Sequence, residues 1–319
     1  MIKPYEQRFP WNLDWNLLRT FMVVVEAGGI TPAAHLLGLK QPTISAALLR
    51  LEATMGRKLV VRSPKHFSIT PWGRVLYGEA CAIFGAVAHL PDLMGGVEEE
   101  VTGQISIAVA SHVISPHFDA VLERFNQRYP QVSYAISTMD SAAVVAHLEQ
   151  NRVTFGLCLL QHLPADLKAR VLYRQYFGFF CGPSHRLYGQ KDIAVSELRD
   201  ENVVSFFTDE LDGPLSGVAH LRRRLMMRQD PKGLSSNLPE VRRMIVANIG
   251  IGALPLHVAQ KDVQSGLLWQ VPPYSALPTV DIHVLTNPRR SLNHAEKALL
   301  EMLNAELDAV PLSERTYSG

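Results

Sequence analysis

Residues 17–52, LLRTFMVVVEAGGITPAAHLLGLKQPTISAALLRLE, constrain the fold more than any other stretch. Leu17, Leu18, Phe21, Val24 and Val25 recur at helical spacing and define one apolar stripe. Gly28-Gly29 stops that helix, because glycine accepts the left-handed end conformation. Thr31-Pro32 predicts a restart, with Thr31 as N-cap and Pro32 at the first helical position. Ala33-Ala34 are small enough for two helices to cross closely, and Gly38 makes the turn. Pro42 opens a third helix in which Ile44, Leu48 and Leu51 face inward. Thr43, Ser45, Ala46 and Arg50 then face outward. Small polar residues on the exposed start of such a helix suit a reader of the DNA major groove.

The stretch that follows reads as a β-hairpin wing, LVVRSPKHFSIT over 59–70, turning at Ser63-Pro64-Lys65-His66. Thr70-Pro71 repeats the cap-plus-proline signal and starts a long helix through Val75, Leu76, Ala80, Ile83, Phe84, Val87 and Leu90. Its apolar stripe has no obvious cover in the local sequence, which predicts a dimer seam.

From Gln104 the period changes. Strands at Ile105–Val109, Val132–Ser137 and Phe155–Leu160 alternate with helices at Ile114–Phe125 and Ala142–Glu149, a βαβαβ pattern that predicts a mainly parallel, doubly wound sheet. The pattern restarts after about residue 175, with strands at 177–181 and 203–207, a helix at 215–227, a strand near 234–236 and a helix at 239–247. Gly250–Pro255 reads as a glycine-rich link, and a strand at 279–285 and a helix at 294–307 finish the domain. The chain is expected to cross between two lobes near 162–175 and 271–278. Residues 1–12 read as a frayed arm and 311–319 as disordered.

Phe21, Val24, Ala27, Gly28, Ala33-Ala34, Leu36, Gln41-Pro42, Ser45, Leu51-Glu52, Gly56, Leu59, Arg62, Thr70 and Gly73 together resemble the winged helix-turn-helix of the LysR-type transcriptional regulators. The likeness continues, more weakly, to about residue 308. It implies an α+β and α/β fold with a winged helix-turn-helix at 13–70 and a linker or dimerisation helix at 71–100, paired antiparallel with its twin. It implies an effector-binding domain at 103–310 resembling the periplasmic-binding-protein fold, lobe I near 103–165 and 277–310, lobe II near 175–271. The expected partners are double-stranded DNA, a small-molecule effector, and further copies of the chain as a homodimer or homotetramer.

Gln41, Pro42, Thr43 and Ser45 carry over to the family's groove positions, with Arg50 following. Gln can pair with adenine, and Thr and Ser with bases or phosphate. Thr31 sits at a helix start, where phosphate is favoured. Arg62 and Lys65 on the wing supply affinity rather than specificity. Two positions depart from the family: Lys40 stands where a capping Ser is common, and Ala46 where Arg or Gln is frequent. Lys40 trades a cap for a positive charge near phosphate.

Ligands of doubly wound sheets bind at the carboxyl ends of strands. Ser111 and His112 follow the first strand, Ser141 opens the second helix, Ser205 and Phe206 end a strand of the second lobe, and Asn237 caps a helix after another. Converging on one cleft, they suit a carboxylate or an aromatic ligand, with His112 adding a charge or a hydrogen bond. Each also has an ordinary reading: Ser141 and Asn237 as N-caps, Phe206 as core, His112 as an exposed helix-start residue.

Charge is distributed unevenly. Residues 1–73 hold nine Lys and Arg against four Asp and Glu, a surplus of five, while the whole chain carries +1, which leaves the remainder at −4. A basic head on a mildly acidic body suits a polyanion at one end. GxGxxG, Walker, HExxH and GxSxG motifs are absent and the histidines lack ligand spacing, so no enzyme, cofactor or metal is expected. Cys81, Cys158 and Cys181 show no redox spacing and read as inert core thiols, His185 as a turn residue, and Arg222-Arg223-Arg224 as a solvent-facing run. The N-terminus lacks an apolar core and no run approaches the ~18 apolar residues of a membrane span, so the expected location is cytoplasmic. The competing reading is a cytoplasmic two-lobe solute-binding or enzymatic protein whose helical N-terminal domain only dimerises.

Overall fold

A computed structural model of the chain describes residues 13–63, 66–88, 90 and 101–318, and the side chain of Arg62 is also outside it. The expectations for the arm at 1–12, for Pro64 and Lys65, and for the linker helix over 91–100 lie outside the described residues. The chain divides into two compact units.

The first unit starts with α1 (Trp15–Glu26), whose N-cap Asp14 accepts from the Asn16 N–H at 3.1 Å. Leu17, Leu18, Phe21 and Val24 are its buried face. Gly28 at φ +70° ends it, as glycine does without a Cβ penalty. Helix α2 (Ile30–Leu37) follows, bent by 119° from α1. Its N-cap is Gly29 rather than Thr31. The Gly29 carbonyl accepts from the Ala33 N–H at 3.2 Å, which places Thr31 inside the first turn. Gly38 at φ +64° closes the turn into α3 (Gln41–Met55), which buries Ile44, Leu48, Leu51 and Glu52. Burying each of these large apolar side chains contributes roughly 1.5–3 kcal/mol.

The hairpin β1 (Val60–Ser63) and β2 (His66–Ile69) pairs antiparallel, with Ser63 opposite His66. Helix α4 (Pro71–Ala88) starts as expected: the Thr70 hydroxyl accepts from the Gly73 N–H at 2.9 Å. Its apolar stripe does find local cover, contrary to expectation. Ala80 is buried, and Leu76, Tyr77 and Phe84 pack on the core of α1–α3. Trp72, Val75, Val87 and Leu90 stay exposed.

The second unit contains β3 (Gly103–Ala110), α5 (Pro116–Arg128), β4 (Val132–Met139), α6 (Ser141–Glu149) and β5 (Phe155–Leu159). Strand β3 pairs parallel with both β4 and β5, as the βαβαβ pattern requires. The long β6 (Lys168–Cys181) comes next, then β7 (Val203–Phe206), α7 (Ser216–Arg224), β8 (Gly233–Ser235), α8 (Leu238–Val246), β9 (Ile251–Pro255) and α9 (Leu256–Gln264). Strands β10 (Trp269–Val271) and β11 (Thr279–Thr286), helix α10 (His294–Ala309) and β12 (Thr316–Tyr317) complete it. The described strands run β4-β3-β5-β11-β6-β9-β7-β8, with β10 and β12 also on β6.

Three corrections follow. The first crossing between lobes lies at Tyr176–Phe177, just past the expected 162–175. It is β6 itself, paired with β11 through Tyr176 and with β9 from Phe177. A continuous strand crosses without leaving backbone groups unpaired. Gly250–Pro255 is not a link: Ile251–Pro255 is a fully buried strand, and a Cβ on Gly252 would meet Ile245 Cδ1 at 2.7 Å. The segment after 310 is ordered through residue 318 and adds β12 to β6.

Candidate functional site

In the first unit, Gln41, Pro42 and Thr43 are exposed at the start of α3 and Ser45 is half-buried beside them. Lys40 occupies the N-cap in extended conformation, and its side chain makes no capping bond. The exposed start of α3 therefore presents its positive dipole end together with a lysine. Thr31 is exposed within α2. Arg50, 68% exposed, leans 3.4 Å from Asp14, the N-cap of α1. Its guanidinium is thus shared between orienting α3 against α1 and any contact outside. Arg62 and Lys65 lie outside the described side chains.

Glu52, counted in the sequence only among the residues that carry the resemblance, ties α3 to the wing. Glu52 is 5% exposed; its carboxylate accepts from the Leu59 N–H at 2.9 Å and the Val60 N–H at 3.4 Å, and Lys58 Nζ sits at 2.8 Å. Burial pushes the Glu52 carboxyl up, but the bonds from Lys58, Leu59 and Val60 outweigh it and hold it below the usual range. Its signal in sequence was a lone acid at the end of an otherwise basic helix and hairpin.

In the second unit, Ser111 bridges the lobes. Its hydroxyl donates to the Ser236 carbonyl at 2.7 Å and accepts from the Leu238 N–H at 3.3 Å, at the start of α8. His112 stands edge-on to Phe206, ring centroids 6.0 Å apart. It is 4% exposed, and neither ring nitrogen has a partner among the described residues. Burial pushes its pKa down to about 4, so it is neutral near pH 7 and supplies no charge, nor is it an exposed helix-start residue. Asn237 is exposed at the N-cap of α8 and its side chain makes no capping bond. Ser111, His112, Phe206 and Asn237 are thus brought to one junction.

Ser141 and Ser205 are both buried, and the Ser141 hydroxyl has no partner among the described residues. Ser141 is buried and is the first residue of α6. The cap is Asp140, whose Oδ1 accepts from the Ala143 N–H at 2.8 Å. Ser205, 2% exposed, donates to Asp209 and accepts from Arg222 Nη1 at 2.9 Å. Arg222 and Asp209 form a buried ion pair, so Arg222 does not face solvent, although Arg223 and Arg224 do. The reason is helical phase: Arg222 follows Leu221 onto the buried side of α7, where Asp209 meets it.

The junction also holds residues not foreseen. The Ile114 N–H donates to Tyr173 Oη at 3.1 Å, and the Ile114 carbonyl lies 3.1 Å from His257 Nε2. Fully buried Gln175, on β6, leaves both amide atoms without partners among the described residues. A separate cavity of about 460 Å³ lies between β6, α9 and the return crossing, lined by Tyr176, Phe180, Gln264, Tyr274 and Leu277. None of the six expected ligand residues lines it. No single described helix is long and apolar enough to cross a membrane.

A winged helix-turn-helix joined to a two-lobe α/β domain defines a class of DNA-binding proteins. Residues 15–74 match the bacterial regulatory helix-turn-helix protein of the lysR family, and residues 98–308 match the LysR substrate binding domain. The chain belongs to the LysR family of DNA-binding transcriptional regulators. It is 26% identical to the transcriptional activator protein LysR of Escherichia coli over 296 residues, covering 92% of this chain and 91% of that protein. The HTH-type regulator CysL of Bacillus subtilis is 23% identical over 249 residues, 78% of this chain and 83% of that one. Among solved structures, the fold is similar to CbnR, a LysR family transcriptional regulator, with a TM-score of 0.66 at 16% identity over 92% of this chain and 99% of that one. CbnR complexed with its target DNA aligns with a TM-score of 0.63 at 16% identity, over 92% of this chain and all of that one.

Proposed function

We propose that this regulator reads a pseudo-palindromic duplex site with the α3 helices of two copies and that a small carboxylate or aromatic effector between the lobes sets its promoter activity. In this reading 13–70 is the DNA-binding domain, 71–100 the linker through which copies pair, and 103–310 the effector-binding domain. The protein works in the cytoplasm as a homodimer or homotetramer and is not an enzyme. The observation that carries the DNA half is α3: Ile44, Leu48 and Leu51 are buried while Gln41, Pro42 and Thr43 stand exposed at its start. Thr31, Lys40, Ser45, Arg62 and Lys65 add contacts to bases or phosphates in the same reading.

Support for a ligand comes from Ser111 at the junction of the lobes and from the orphaned polar atoms of His112 and Gln175. Buried polar groups without partners cost about 1–3 kcal/mol each, which a bound ligand or water relieves. A thiolate-based response at Cys158 or Cys181 is disfavoured: burial pushes both thiols up to about 12, which keeps them protonated.

Two measurements test the reading. Binding to duplex DNA from upstream of its own gene should weaken steeply with salt, and Gln41→Ala should cost about 1–3 kcal/mol of affinity. Binding that ignores both salt and Gln41 would favour the solute-binding alternative. For the effector, a thermal-shift screen of small carboxylates and aromatics should yield a stabilising compound whose effect is lost in Ser111→Ala.

A further inference from the structure

The match to the substrate binding domain ends at residue 308, yet the chain beyond it is held against α10 and β6. Arg315 is 5% exposed. Its Nε donates to the Val310 carbonyl at 2.9 Å, its Nη1 to the carbonyls of Val171 at 2.8 Å and Leu172, and its Nη2 to the Leu307 carbonyl at 3.3 Å. A cation among the orphan carbonyls that end α10 is electrostatically favoured, and here it also grips β6. The Arg315 carbonyl accepts from the Arg174 N–H at 2.9 Å. Thr316 and Tyr317 then pair parallel with Arg174 and Gln175, just before β6 passes from one lobe to the other at Tyr176–Phe177.

Tyr317 reaches both lobes from that position. Its hydroxyl is 3.3 Å from Ser115 Oγ, and Ser115 caps α5 in the first lobe. Its ring lies nearly parallel to His117, 6.1 Å away, 4.9 Å from Tyr173 on the crossing strand, and 4.7 Å from His257 in α9 of the second lobe. One ring therefore touches the start of α5, the hinge strand and the start of α9, where the Ile114–His257 bond also ties the lobes.

We propose that residues 310–318 are a clasp on the hinge. Arg315 anchors the tail to α10 and β6, and Tyr317 is a positioning residue that sets the spacing of the lobes at the hinge end of the cleft. That this spacing governs an effector rests on the function proposed above; the clasp itself does not. Aromatic contacts at 4.5–7 Å and a buried hydrogen bond each contribute on the scale of a single rotamer choice, so loss of the ring releases the lobes locally without unfolding either.

The test is hydrogen–deuterium exchange on the full chain without ligand, comparing wild type, Tyr317→Phe and Tyr317→Ala. In Tyr317→Ala, amides at 114, 115, 117 and 118, and at 173–177 and 256–259, should exchange at least about tenfold faster, while those of β3, β7 and β9 keep their rates. Tyr317→Phe, which keeps the ring and loses only the hydroxyl's bonds to Ser115 and to the His117 backbone, should stay near wild type. Unchanged exchange in those three segments, or a uniform rise across the whole domain, overturns the clasp. The effector reading fails separately, if no small molecule stabilises the wild-type chain.

Discussion

Burial changes the chemistry of His112 and of the Arg222–Asp209 pair. The folded pKa of His112, about 4, lies below its free value of 6.5. The unfolded chain therefore binds more protons in that window, and stability falls as pH drops from about 6.5 toward 4. His257 and His283 are also lowered, by burial, and act in the same direction. Asp209 works against them. Burial lifts it to about 6 despite Arg222 and Ser205, so its contribution grows as pH falls from 6 toward 3.8. Comparison with a variant isolates the histidine: between about pH 7.5 and pH 5, wild type should lose roughly 2 kcal/mol more than His112→Leu, read from urea melts at each pH. Removing one partner of the buried pair strands the other, so Arg222→Ala should cost about 3–5 kcal/mol. The exposed neighbour Arg223→Ala should fall within about 0.5 kcal/mol of wild type in the same melts.

Between α3 and the wing, Glu52 substitutes for a longer hydrophobic interface. Its carboxylate closes the Leu59 and Val60 N–H groups, which otherwise lie buried and unpaired. Glu52→Ala should destabilise the DNA-binding unit by about 1–3 kcal/mol and weaken DNA binding without altering sequence preference, measured by melting and by competition between operator variants. Because its folded pKa is depressed, Glu52 stabilises above about 4.5, and that contribution is lost as pH falls further. At Gly73 a Cβ would sit 2.1 Å from the Leu59 carbonyl oxygen, with Ile69 Cγ1 at 2.7 Å. Gly73→Ala should therefore separate α4 from the wing and lower the melting temperature, although alanine is the better helix former. Caps at Thr70 and turns at Gly28 and Gly38 were legible because they are local. The two-residue displacement of the cap from Thr31 to Gly29 was not, since both patterns end in the same helix.

For the whole molecule, the exposed Val75 and Val87 on α4 belong to the linker through which we propose that copies pair. Val75→Glu with Val87→Glu should shift sedimentation toward monomer and reduce DNA affinity together, because one half-site alone binds weakly. Loss of DNA affinity without a change in sedimentation would place these valines on another surface.

The opening helix-turn-helix, the wing, the βαβαβ pattern and the two-lobe plan were fixed by residues close in sequence, through period, caps and glycine turns. The interior of α3 could be read from Ile44, Leu48 and Leu51 alone. Which polar residues meet was decided only by tertiary packing. Ser111 finds Ser236 across 125 residues, Arg222 turns inward to Asp209, and Tyr317 meets Ser115 across 202 residues. Sequence periodicity records which face of an element is apolar. It carries no information about which distant segment supplies the partner for a buried charge, ring or hydroxyl.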